Sequence, residues 1–530
     1  MPSREHTPEA EYFDVIIIGA GLSGIGAACH LSKNCPQKTF ALLEGRESMG
    51  GTWDLFRYPG IRSDSDMYTL GYNFKPWTNA KGIADGKDIR EYIQQAAAEN
   101  NIEPHIRYSS RVRQANWHSP SGTWQLTVTH SLTGKTQHYV CNFMLSCTGY
   151  YNYDQGYSPE FPGSEQFNGQ IIHPQKWPEN LDYHGKKVVV IGSGATAVTV
   201  VPAMADKAAH VTMLQRSPSY IMSIPQDDIM INGLRKILPE RWVYRITRTR
   251  NIAFSWLMYN YCKTFPNSAR RLIYKLNKKE LGDDFDMKHF TPKYNPWEER
   301  LCAVPDGDMF SAIREKKVSV VTDHIERITE HGIQLKSGEH LEADIIITAT
   351  GLEIELLGKM QVSLDQQPFS VTDKMVYRGF LMQDLPNAGM VFGYTNASWT
   401  LKADLITEWM CRLLNHMDRS GQSVVVPHNS DQQIQHRPFL DIESGYVQRA
   451  ERLLPKQGSK MPWKLAQNYL LDLLMLRFGK VNDANLKFSK SEIPLEKSRN
   501  NPQALFPAKK QAKEQQGSQK ITEPKTAASA

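Results

Sequence analysis

Two stretches of the chain share one hydrophobic pattern, in which an apolar run ends in glycines and continues into small residues. The first, DVIIIGAGLSGIGAACHL, has its apolar run at residues 14–18, and the second, KVVVIGSGATAVTVVPAMA, has it at 188–191. Short unbroken apolar runs are typical of buried parallel strands, and small residues after glycines favour a closely packed helix. Each stretch therefore predicts a strand, a tight turn and a helix.

The remaining pattern indicates an α/β fold with further strands and a long helical insertion. Alternating stretches such as TWQLTVTH and YVCNFMLSCTG predict strands, residues 222–290 predict long helices, and strands return in VSVVTD, IQLKS and DIIITATG. Residues 402–478 are predicted to be mainly helical. The final PAKKQAKEQQGSQKITEPKTAASA has almost no apolar content and is predicted to be disordered.

Composition and charge limit the classes of protein to consider. A chain of 530 residues is too long for one hydrophobic core, and a net charge of +6 does not call for nucleic acid. Seven cysteines without a CxxC pair argue against a disulfide framework and a metal site, and they favour a reducing cytoplasm. The polar start predicts no signal peptide, and no stretch is long and apolar enough to cross a bilayer.

The first glycine turn has the spacing of a dinucleotide-binding motif. Gly19, Gly21 and Gly24 form GxGxxG, and Glu44 follows Gly24 by 20 residues, at the end of the strand TFALLE. The glycines allow a tight turn, close approach of pyrophosphate and close packing of helix on strand, while the acid suits ribose hydroxyls. The alternative is a glycine-rich turn without a ligand.

The second turn differs in the residue that selects the cofactor. Gly192, Gly194 and Ala197 form GxGxxA, but Arg216 and Ser217 follow the next strand where an acid would be expected. A carboxylate repels a 2′-phosphate, whereas an arginine pairs with it, so this site is predicted to prefer NADPH. A solvated loop arginine is the alternative.

Two dinucleotide sites in one chain predict FAD at the first and NADPH at the second. DIIITATGL matches the ATG segment that closes such folds near the flavin, and Cys147-Thr148-Gly149 is its earlier counterpart. The fold class is therefore α/β with two Rossmann-like domains, of which the FAD domain is discontinuous. The predicted parts are 1–150 (FAD domain), 151–221 (NADPH domain), 222–295 (helical insertion), 296–343 (NADPH domain), 344–498 (FAD domain and C-terminal helices) and 499–530 (disordered tail).

Two longer motifs carry a family resemblance. FNGQIIHPQKWP resembles the FxGxxxHxxxWP fingerprint of type I Baeyer–Villiger monooxygenases; its fixed positions are Phe167, Gly169, His173, Trp177 and Pro178. GGTWDLFRYPGIRSD resembles a second fingerprint of that family. The resemblance covers residues 14 to about 490, and within the flavin-containing monooxygenase superfamily the chain is similar to the subgroup of ethionamide-activating and long-chain alkane monooxygenases.

The resemblance implies a set of cofactor contacts. For FAD these are Gly19, Gly21, Ser23, Gly24, Glu44, Thr52, Trp53, Asp54, Asp64 and Val112. For NADPH they are Arg62, Ser63, Asp64, Gly192, Ser193, Gly194, Ala195, Thr196, Ala197, Arg216 and Ser217. His173 and Trp177 are expected to be structural or hinge residues, with direct acid–base work as the alternative.

The resemblance also implies the reaction. NADPH reduces FAD, O₂ forms a C4a-peroxyflavin, and the peroxide attacks a carbonyl to give an ester or lactone. A fixed cation would stabilise the anions, and Arg300 is the candidate, oriented by Asp64. The better known enzymes carry Lys-Arg-Pro before Leu-Cys, whereas here the arginine directly precedes Leu301. A surface pair of Arg300 with Glu298 or Glu299, and a helix-capping role for Asp64, are the alternatives.

Apolar ketones, long-chain or aryl, and sulfides are the substrates that this resemblance implies. A flavin-containing N- or S-monooxygenase and a hydroxylase of long-chain alkanes remain alternatives within the superfamily. A non-catalytic flavin-binding redox sensor is a more distant one. A disulfide reductase is excluded, because residues 44–66 contain no cysteine for a redox pair.

Residues 231–280 form a basic segment with twelve lysines and arginines against two acids. Because it also carries aromatic residues, it is typical of a helix attracted to an anionic membrane surface. A helical lid with a solvated basic face is the alternative. We therefore predict a cytoplasmic protein, with peripheral contact to the inner face of the cell membrane left open and the oligomeric state not predicted.

Overall fold

Two separate sheets form the framework of the protein in the computed structural model, which describes residues 10–79, 81–299, 301–440 and 444–506. In chain order the strands are β1 (Glu11–Ile18), β2 (Phe40–Leu43), β3 (Ile106–Arg107), β4 (Ser110–His118), β5 (Thr123–His130), β6 (Thr136–Ser146), β7 (Gln170–Ile172), β8 (Lys187–Ile191), β9 (His210–Gln215), β10 (Tyr220–Ile224), β11 (Leu301–Pro305), β12 (Val318–Thr322), β13 (Ile325–Thr329), β14 (Gly332–Leu335), β15 (His340–Glu342), β16 (Ile345–Thr348), β17 (Gln361–Leu364), β18 (Gln367–Pro368), β19 (Val376–Tyr377), β20 (Leu381–Met382), β21 (Ala388–Met390), β22 (Val424–Pro427), β23 (His436–Pro438), β24 (Lys456–Gly458) and β25 (Leu486–Ser489).

The helices cover both faces of these sheets and form one long insertion. They are α1 (Leu22–Asn34), α2 (Thr52–Leu55), α3 (Met67–Leu70), α4 (Gly86–Glu99), α5 (Ala195–Met204), α6 (Ile229–Arg235), α7 (Glu240–Thr264), α8 (Pro266–Leu281), α9 (Asp308–Arg314), α10 (Trp399–Ser420), α11 (Gly445–Ala450), α12 (Tyr469–Leu473) and α13 (Leu495–Asn500). A π-helical turn, Leu474–Phe478, continues α12.

The first sheet contains the first glycine turn. Its order is β18-β17-β4-β5-β6-β1-β2-β3, and β21 also pairs with β6. β1 lies between β6 and β2 and is parallel to both. The last five residues of β1 and all of β2 are buried, because helices cover the sheet here, and this explains their continuous apolar runs.

The second sheet, β12-β9-β8-β16-β7, is parallel throughout and contains the second glycine turn. β16 pairs with both β8 and β7, so residues 345–348 belong to this sheet. The predicted start of the returning FAD domain at residue 344 is therefore wrong. The cause is non-local: the strand itself was predicted, but its partners β8 and β7 lie more than 150 residues earlier in the chain.

One prediction about the C-terminal region is refined and another needs correction. Residues 402–478 contain α10, α11, α12 and the π-helical turn, but the short strands β22, β23 and β24 lie among these helices. The tail predicted from residue 499 is ordered as far as Phe506: Arg499 forms an ion pair with Asp14, and the Gln503 side chain accepts a hydrogen bond from the Ala10 amide at 2.9 Å. Residues 507–530 lie outside the described residues.

The helical insertion is attached to the first domain by a buried arginine. Arg248 of α7 donates from Nη1 to the carbonyls of Tyr68 and Gly71, both at 2.7 Å, and its Nη2 lies 3.5 Å from the Asp404 carboxylate. Three elements, α3, α7 and α10, therefore meet at one cation. None of the helices in the described ranges is long and apolar enough to span a membrane.

We expect Arg248→Ala to lower the free energy of unfolding by about 3 kcal/mol, because it leaves buried carbonyls and Asp404 without their cation. Urea denaturation followed by tryptophan fluorescence would measure the change. Arg245→Ala, one turn earlier on the exposed side of α7, is the matched control and should change the value by less than about 0.5 kcal/mol. Equal effects of both changes would contradict the anchoring role of Arg248.

Candidate active site

The first glycine turn is closed by backbone contacts that no side chain would permit. The Gly19 amide donates to the Leu43 carbonyl at 2.8 Å, which joins the turn to the end of β2. A Cβ on Gly24 would lie 1.9 Å from the Gly19 carbonyl oxygen, and one on Gly19, at φ +104°, would lie 2.6 Å from the Cys147 carbonyl oxygen. Helix α1 therefore starts directly against β1 and β6.

The start of α1 fits an anionic ligand. Its N-cap is Gly21, which provides no side-chain hydrogen bond to the first turn, so the orphan amides remain for a phosphate. Ser23, in that turn, accepts a hydrogen bond from the Trp399 indole at 2.7 Å. The turn thus supplies the backbone donors that a pyrophosphate requires.

Glu44 lies beside this turn, directly after β2. Its two carboxylate oxygens accept hydrogen bonds from the Ala20 amide at 2.7 Å and the Arg46 amide at 2.9 Å. Burial raises the pKa of Glu44, and these two hydrogen bonds partly offset the effect. The carboxylate is thus held in place by backbone; its contact with ribose hydroxyls stays a prediction.

The second turn repeats this geometry in the second sheet. The Gly192 amide donates to the Leu214 carbonyl at 2.8 Å, and a Cβ on Gly192 would lie 2.3 Å from the Ala349 carbonyl oxygen. Gly194, the N-cap of α5, gives no side-chain cap, and a Cβ there would meet no atom within 4 Å. A pyrophosphate can therefore approach this backbone, to which the predicted contacts Ser193, Ala195, Thr196 and Ala197 all belong.

The equivalence of the turns identifies Gln215 as the counterpart of Glu44. Each residue follows the leucine whose carbonyl receives the turn's glycine amide. The Gln215 side chain is buried and donates to the His289 carbonyl at 2.8 Å and to the Thr322 hydroxyl at 2.9 Å. The amide therefore faces away from the cofactor position, and the next residues, Arg216 and Ser217, are exposed at the strand end.

The same equivalence corrects the prediction for the ATG segment. Ala349 contacts Gly192 in the second domain, whereas Cys147 contacts Gly19 in the first. The residues that close the fold at the flavin turn are thus Cys147 and its successors, and the ATG segment closes the NADPH turn. The two strand ends look alike in sequence, and only their sheet partners distinguish them.

Residues 51–63 connect the two turns. A Cβ on Gly21 would lie 3.3 Å from the Gly51 Cα atom. A Cβ on Gly60 would lie 2.6 Å from the side chain of Ala203 in α5. Tyr58 lies between these two contacts and forms a hydrogen bond with Thr196 at the start of α5. Burial raises the pKa of Tyr58 to about 12, and this hydrogen bond partly offsets the effect. One short segment therefore touches both cofactor helices.

Asp54, on α2, is a buried anchor of this segment. Its carboxylate lies 2.7 Å from the Arg46 and Arg57 guanidinium groups and 3.2 Å from that of Arg90. Burial opposes its ionisation, but hydrogen bonds from Arg46 and Ser48 hold its pKa below the usual range. The side chain is thus surrounded by cations, while Thr52 and Trp53 beside it are partly exposed for the predicted contact with FAD.

The residues expected for catalysis, Asp64 and Arg300, and the predicted NADPH contacts Arg62 and Ser63 are positioned only in part. Arg62 pairs with Asp308 of α9, and Ser63 is buried against the Ala84 backbone. Asp64 is exposed and lies close enough to Tyr58 for its charge to raise the tyrosine's pKa. Arg300 lies outside the described residues, so its pairing with Asp64 stays a prediction.

The Phe167–Pro178 motif contains β7, the strand that pairs with β16 at the edge of the second sheet. The His173 Nε2–H donates to the Gly351 carbonyl at 3.2 Å, and Nδ1 accepts from the Gln175 amide at 3.2 Å. Burial lowers the pKa of His173, so the ring is neutral, and a Cβ on Gly156 would lie 2.1 Å from it. A Cβ on Gly169 would collide with the Asp344 carbonyl at 2.1 Å. This histidine ring is held by backbone on two sides.

The sequence analysis did not assign a role to Trp399. Besides its hydrogen bond to Ser23, its ring stacks on Tyr150 at 5.1 Å between centroids. Trp399 begins α10, which brings a residue 376 positions away in sequence to the first turn of α1. Its place in the stretch GYTNASWTLKADL, which resembles the subgroup of ethionamide-activating and long-chain alkane monooxygenases, was the available signal. Val112, the last predicted FAD contact, is buried in β4, where it pairs with Val128.

Comparisons with known proteins agree with this geometry. Residues 83–377 match the family model of flavin-binding monooxygenase-like proteins, and residues 17–79 match an NAD(P)-binding Rossmann-like domain. The chain is 53% identical to a probable FAD-binding monooxygenase AlmA of Acinetobacter sp, over 90% of this chain and 96% of that protein. It is 52% identical to the FAD-containing monooxygenase EthA of Mycobacterium tuberculosis, over 92% and 99%.

Solved structures share the fold at lower identity. Cyclohexanone monooxygenase with bound ε-caprolactone superposes with a TM-score of 0.70 at 18% identity, covering 91% of this chain and all of that one. Oxidized steroid monooxygenase bound to NADP gives 0.69 at 20% identity, covering 90% of this chain and all of that one. At this identity the likeness establishes the fold.

We expect Gly24→Ala to abolish FAD retention, because its Cβ would lie 1.9 Å from the Gly19 carbonyl. Gly194→Ala should keep FAD and raise KM for NADPH, since its Cβ meets no protein atom but stands where pyrophosphate approaches. Bound flavin absorbance and steady-state kinetics measure the two effects. Gly233→Ala, also at an open helical position, is the control; full FAD retention by Gly24→Ala would disprove the argument.

We expect Arg216→Ala to raise KM for NADPH by about 10- to 100-fold, the value of one charge-assisted contact with a 2′-phosphate. KM for NADH should stay the same, because NADH lacks that phosphate. Initial rates with both cofactors provide the measurement, and Arg419→Ala, an exposed arginine at the end of α10, is the control. An equal rise for both cofactors would show that Arg216 does not select NADPH.

Proposed function

This chain belongs to the flavin-binding monooxygenase-like family and uses FAD and NADP, and on that premise we propose that it is a Baeyer–Villiger monooxygenase of apolar ketones. It inserts one atom of O₂ next to the carbonyl of long-chain or aryl ketones, and it also oxidises sulfides. The ketone, O₂, NADPH and a proton give an ester, water and NADP⁺.

One observation carries the proposal: residues 51–63 contact both cofactor turns at once. Gly51 packs against the first turn, and Gly60 and Tyr58 pack against helix α5. A Baeyer–Villiger reaction needs a nicotinamide to reduce the flavin and then leave the reacting face while substrate is oxidised. A segment fastened to both helices can couple these two arrangements, and it contains the sequence that resembles the family's own fingerprint.

Within this proposal the protein holds charge and excludes water. Bound FAD supplies the oxygen-activating chemistry, for which we propose a C4a-peroxyflavin. Arg300 is the proposed cation beside the developing negative charge, and Asp64 orients it. Arg62, fixed by Asp308 of the second domain, keeps the chain before Asp64 in place.

The linker supports the Baeyer–Villiger branch over its sister class. Trp177 stands where flavin-containing N- and S-monooxygenases usually carry tyrosine or phenylalanine. It is partly buried against the core of the second domain, close to the His173 contact with Gly351. Because His173 is neutral with both nitrogens in hydrogen bonds, we propose that it fixes the linker and does not transfer protons.

We also propose a cytoplasmic location. All seven cysteines are buried, and none forms a disulfide within the described residues. Buried cysteines outside disulfides are typical of a reducing compartment.

The proposal predicts that the NADPH-reduced enzyme, mixed with ¹⁸O₂ and a long-chain 2-ketone, releases an ester containing one ¹⁸O atom. Mass spectrometry of the product and NADPH consumption measure the reaction and its coupling. Oxidation of an amine or sulfide but no ketone would move the protein to the sister class. Absence of NADPH-driven flavin reduction would contradict any monooxygenase function.

We expect Arg300→Ala to leave flavin reduction by NADPH largely intact and to lower the rate of ester formation by about 100-fold or more, the typical loss when a preorganised electrostatic group is removed. Stopped-flow reduction and product analysis separate the two steps. Arg314→Ala, an exposed arginine on α9, is the control. Normal ester formation by Arg300→Ala would remove Arg300 from the mechanism.

A further inference from the structure

Helix α7 carries large apolar side chains on its solvent side. Trp242, Ile246 and Leu257 are 54%, 40% and 58% exposed, and Phe254 is 63% exposed. At 100° per residue, positions 242, 246 and 257 fall within about 60° of one another, so they form one stripe about 22 Å long. The three residues therefore share one side of the helix, with Thr249 and Ala253 between Ile246 and Leu257 on that side.

The opposite side of α7 already has its partners. Val243, Tyr244, Thr247, Arg248 and Cys262 are buried against the protein. The exposed stripe is thus not a displaced core face, because the core face of this helix is filled separately. A second apolar surface on one helix needs another explanation, since exposed patches of large apolar residues usually mark interaction sites.

A second apolar ridge lies on α12 and the π-helical turn that follows it. Leu471, Leu474 and Phe478 are 51%, 59% and 71% exposed. A groove of about 1270 Å³ runs between this ridge and α7. Arg241 and Arg245 of α7 line one side of the groove, and Tyr469 and Arg477 line the other. The two ridges therefore flank one groove; we call the two ridges and the groove the basic face.

The groove is separate from the cofactor turns. It touches α1 at Cys29–Asn34, the C-terminal part of that helix, whereas the first glycine turn lies at the N-terminal end. Its floor includes α10 residues from Leu401 to Asn415. An occupant of this groove would therefore not compete directly with FAD.

The charges on the basic face are unevenly matched. The three acids of the groove each have a cation: Glu99 pairs with Lys75, Asp404 with Arg248, and Glu408 with Arg477. By contrast, Lys33, Arg241 and Arg245 form no salt bridge within the described part of the chain. Arg245 instead lies over the Trp242 ring, 5.6 Å from its centre. Unmatched positive charge thus borders the apolar stripe.

We propose that the basic face docks on an anionic lipid bilayer. The α7 stripe and the ridge from Leu471 to Phe478 enter the boundary between headgroups and acyl chains, and Arg241, Arg245 and Lys33 contact lipid phosphates. Apolar residues flanked by arginines on one helix are the composition that interfacial helices require. An apolar ridge, a basic groove and a second apolar ridge lie side by side, and this pattern favours a partner that is flat, anionic and apolar. A second copy of this basic chain is less favoured, because the two positively charged faces would repel each other.

The FAD-loaded full-length protein is sedimented with two kinds of vesicle. One contains phosphatidylcholine alone, and the other contains phosphatidylcholine with about 30% of the anionic lipid phosphatidylglycerol. We expect binding to the anionic vesicles only, weakened by salt. Arg241→Ala with Arg245→Ala should lower the partition coefficient by about 30-fold, from about 1 kcal/mol for each cation near the surface. Trp242→Glu with Leu257→Glu should abolish binding.

Leu132→Glu is the matched control, because Leu132 is 65% exposed in the turn between β5 and β6, away from the basic face. It should bind vesicles like the parent protein, and all variants should keep their FAD and NADPH oxidation rate, which verifies folding. Binding to neutral vesicles with equal strength, or loss of binding in Leu132→Glu, would overturn the proposal. The proposal would also be overturned if sedimentation velocity without lipid showed a dimer and Leu257→Glu abolished that dimer.

Discussion

The close approach of backbone at Gly21 and Gly51 is the constraint on which the site depends. Side chains are excluded on both sides, since a Cβ on Gly51 would lie 2.9 Å from the Gly21 Cα. This contact places the start of residues 51–63 on the first cofactor turn, while Gly60 places its end on α5. A short covalent segment therefore links the starts of the two cofactor sites.

The two glycine turns show how one backbone design serves two cofactors. In each, a glycine amide is bound to the end of the next strand, and an uncapped helix begins beside it. The difference lies in one side chain: Glu44 is fixed by backbone amides beside its turn, whereas Gln215 is turned away into contacts with His289 and Thr322. We propose that the missing acid opens the second site to a 2′-phosphate and that Arg216, the next residue, supplies the matching charge.

Local features were predictable from the sequence, and non-local ones were not. Both turns depend on residues within one strand–turn–helix unit, so their spacing alone identified them. The hydrogen bond between Trp399 and Ser23 and the ion pair between Arg499 and Asp14 join residues hundreds of positions apart. A single sequence carries no record of such pairs, which is why its composition predicts a disordered tail from residue 499 although the chain is ordered as far as Phe506. The place of β16 between β8 and β7 was missed for the same reason.

Helix α7 shows why a hydrophobic pattern alone cannot decide between a lid and a membrane contact. Both need a helix with apolar residues, and both tolerate arginines at its borders. The distinction requires knowing which apolar positions the protein already covers. Val243 and Tyr244 satisfy the packing on one side, and Trp242 and Leu257 remain exposed on the other. Solvation of that stripe is unfavourable at roughly 25 cal/mol for each Å², and its position beside arginines without a salt-bridge partner among the described residues is the observation that favours the proposed bilayer contact over a lid.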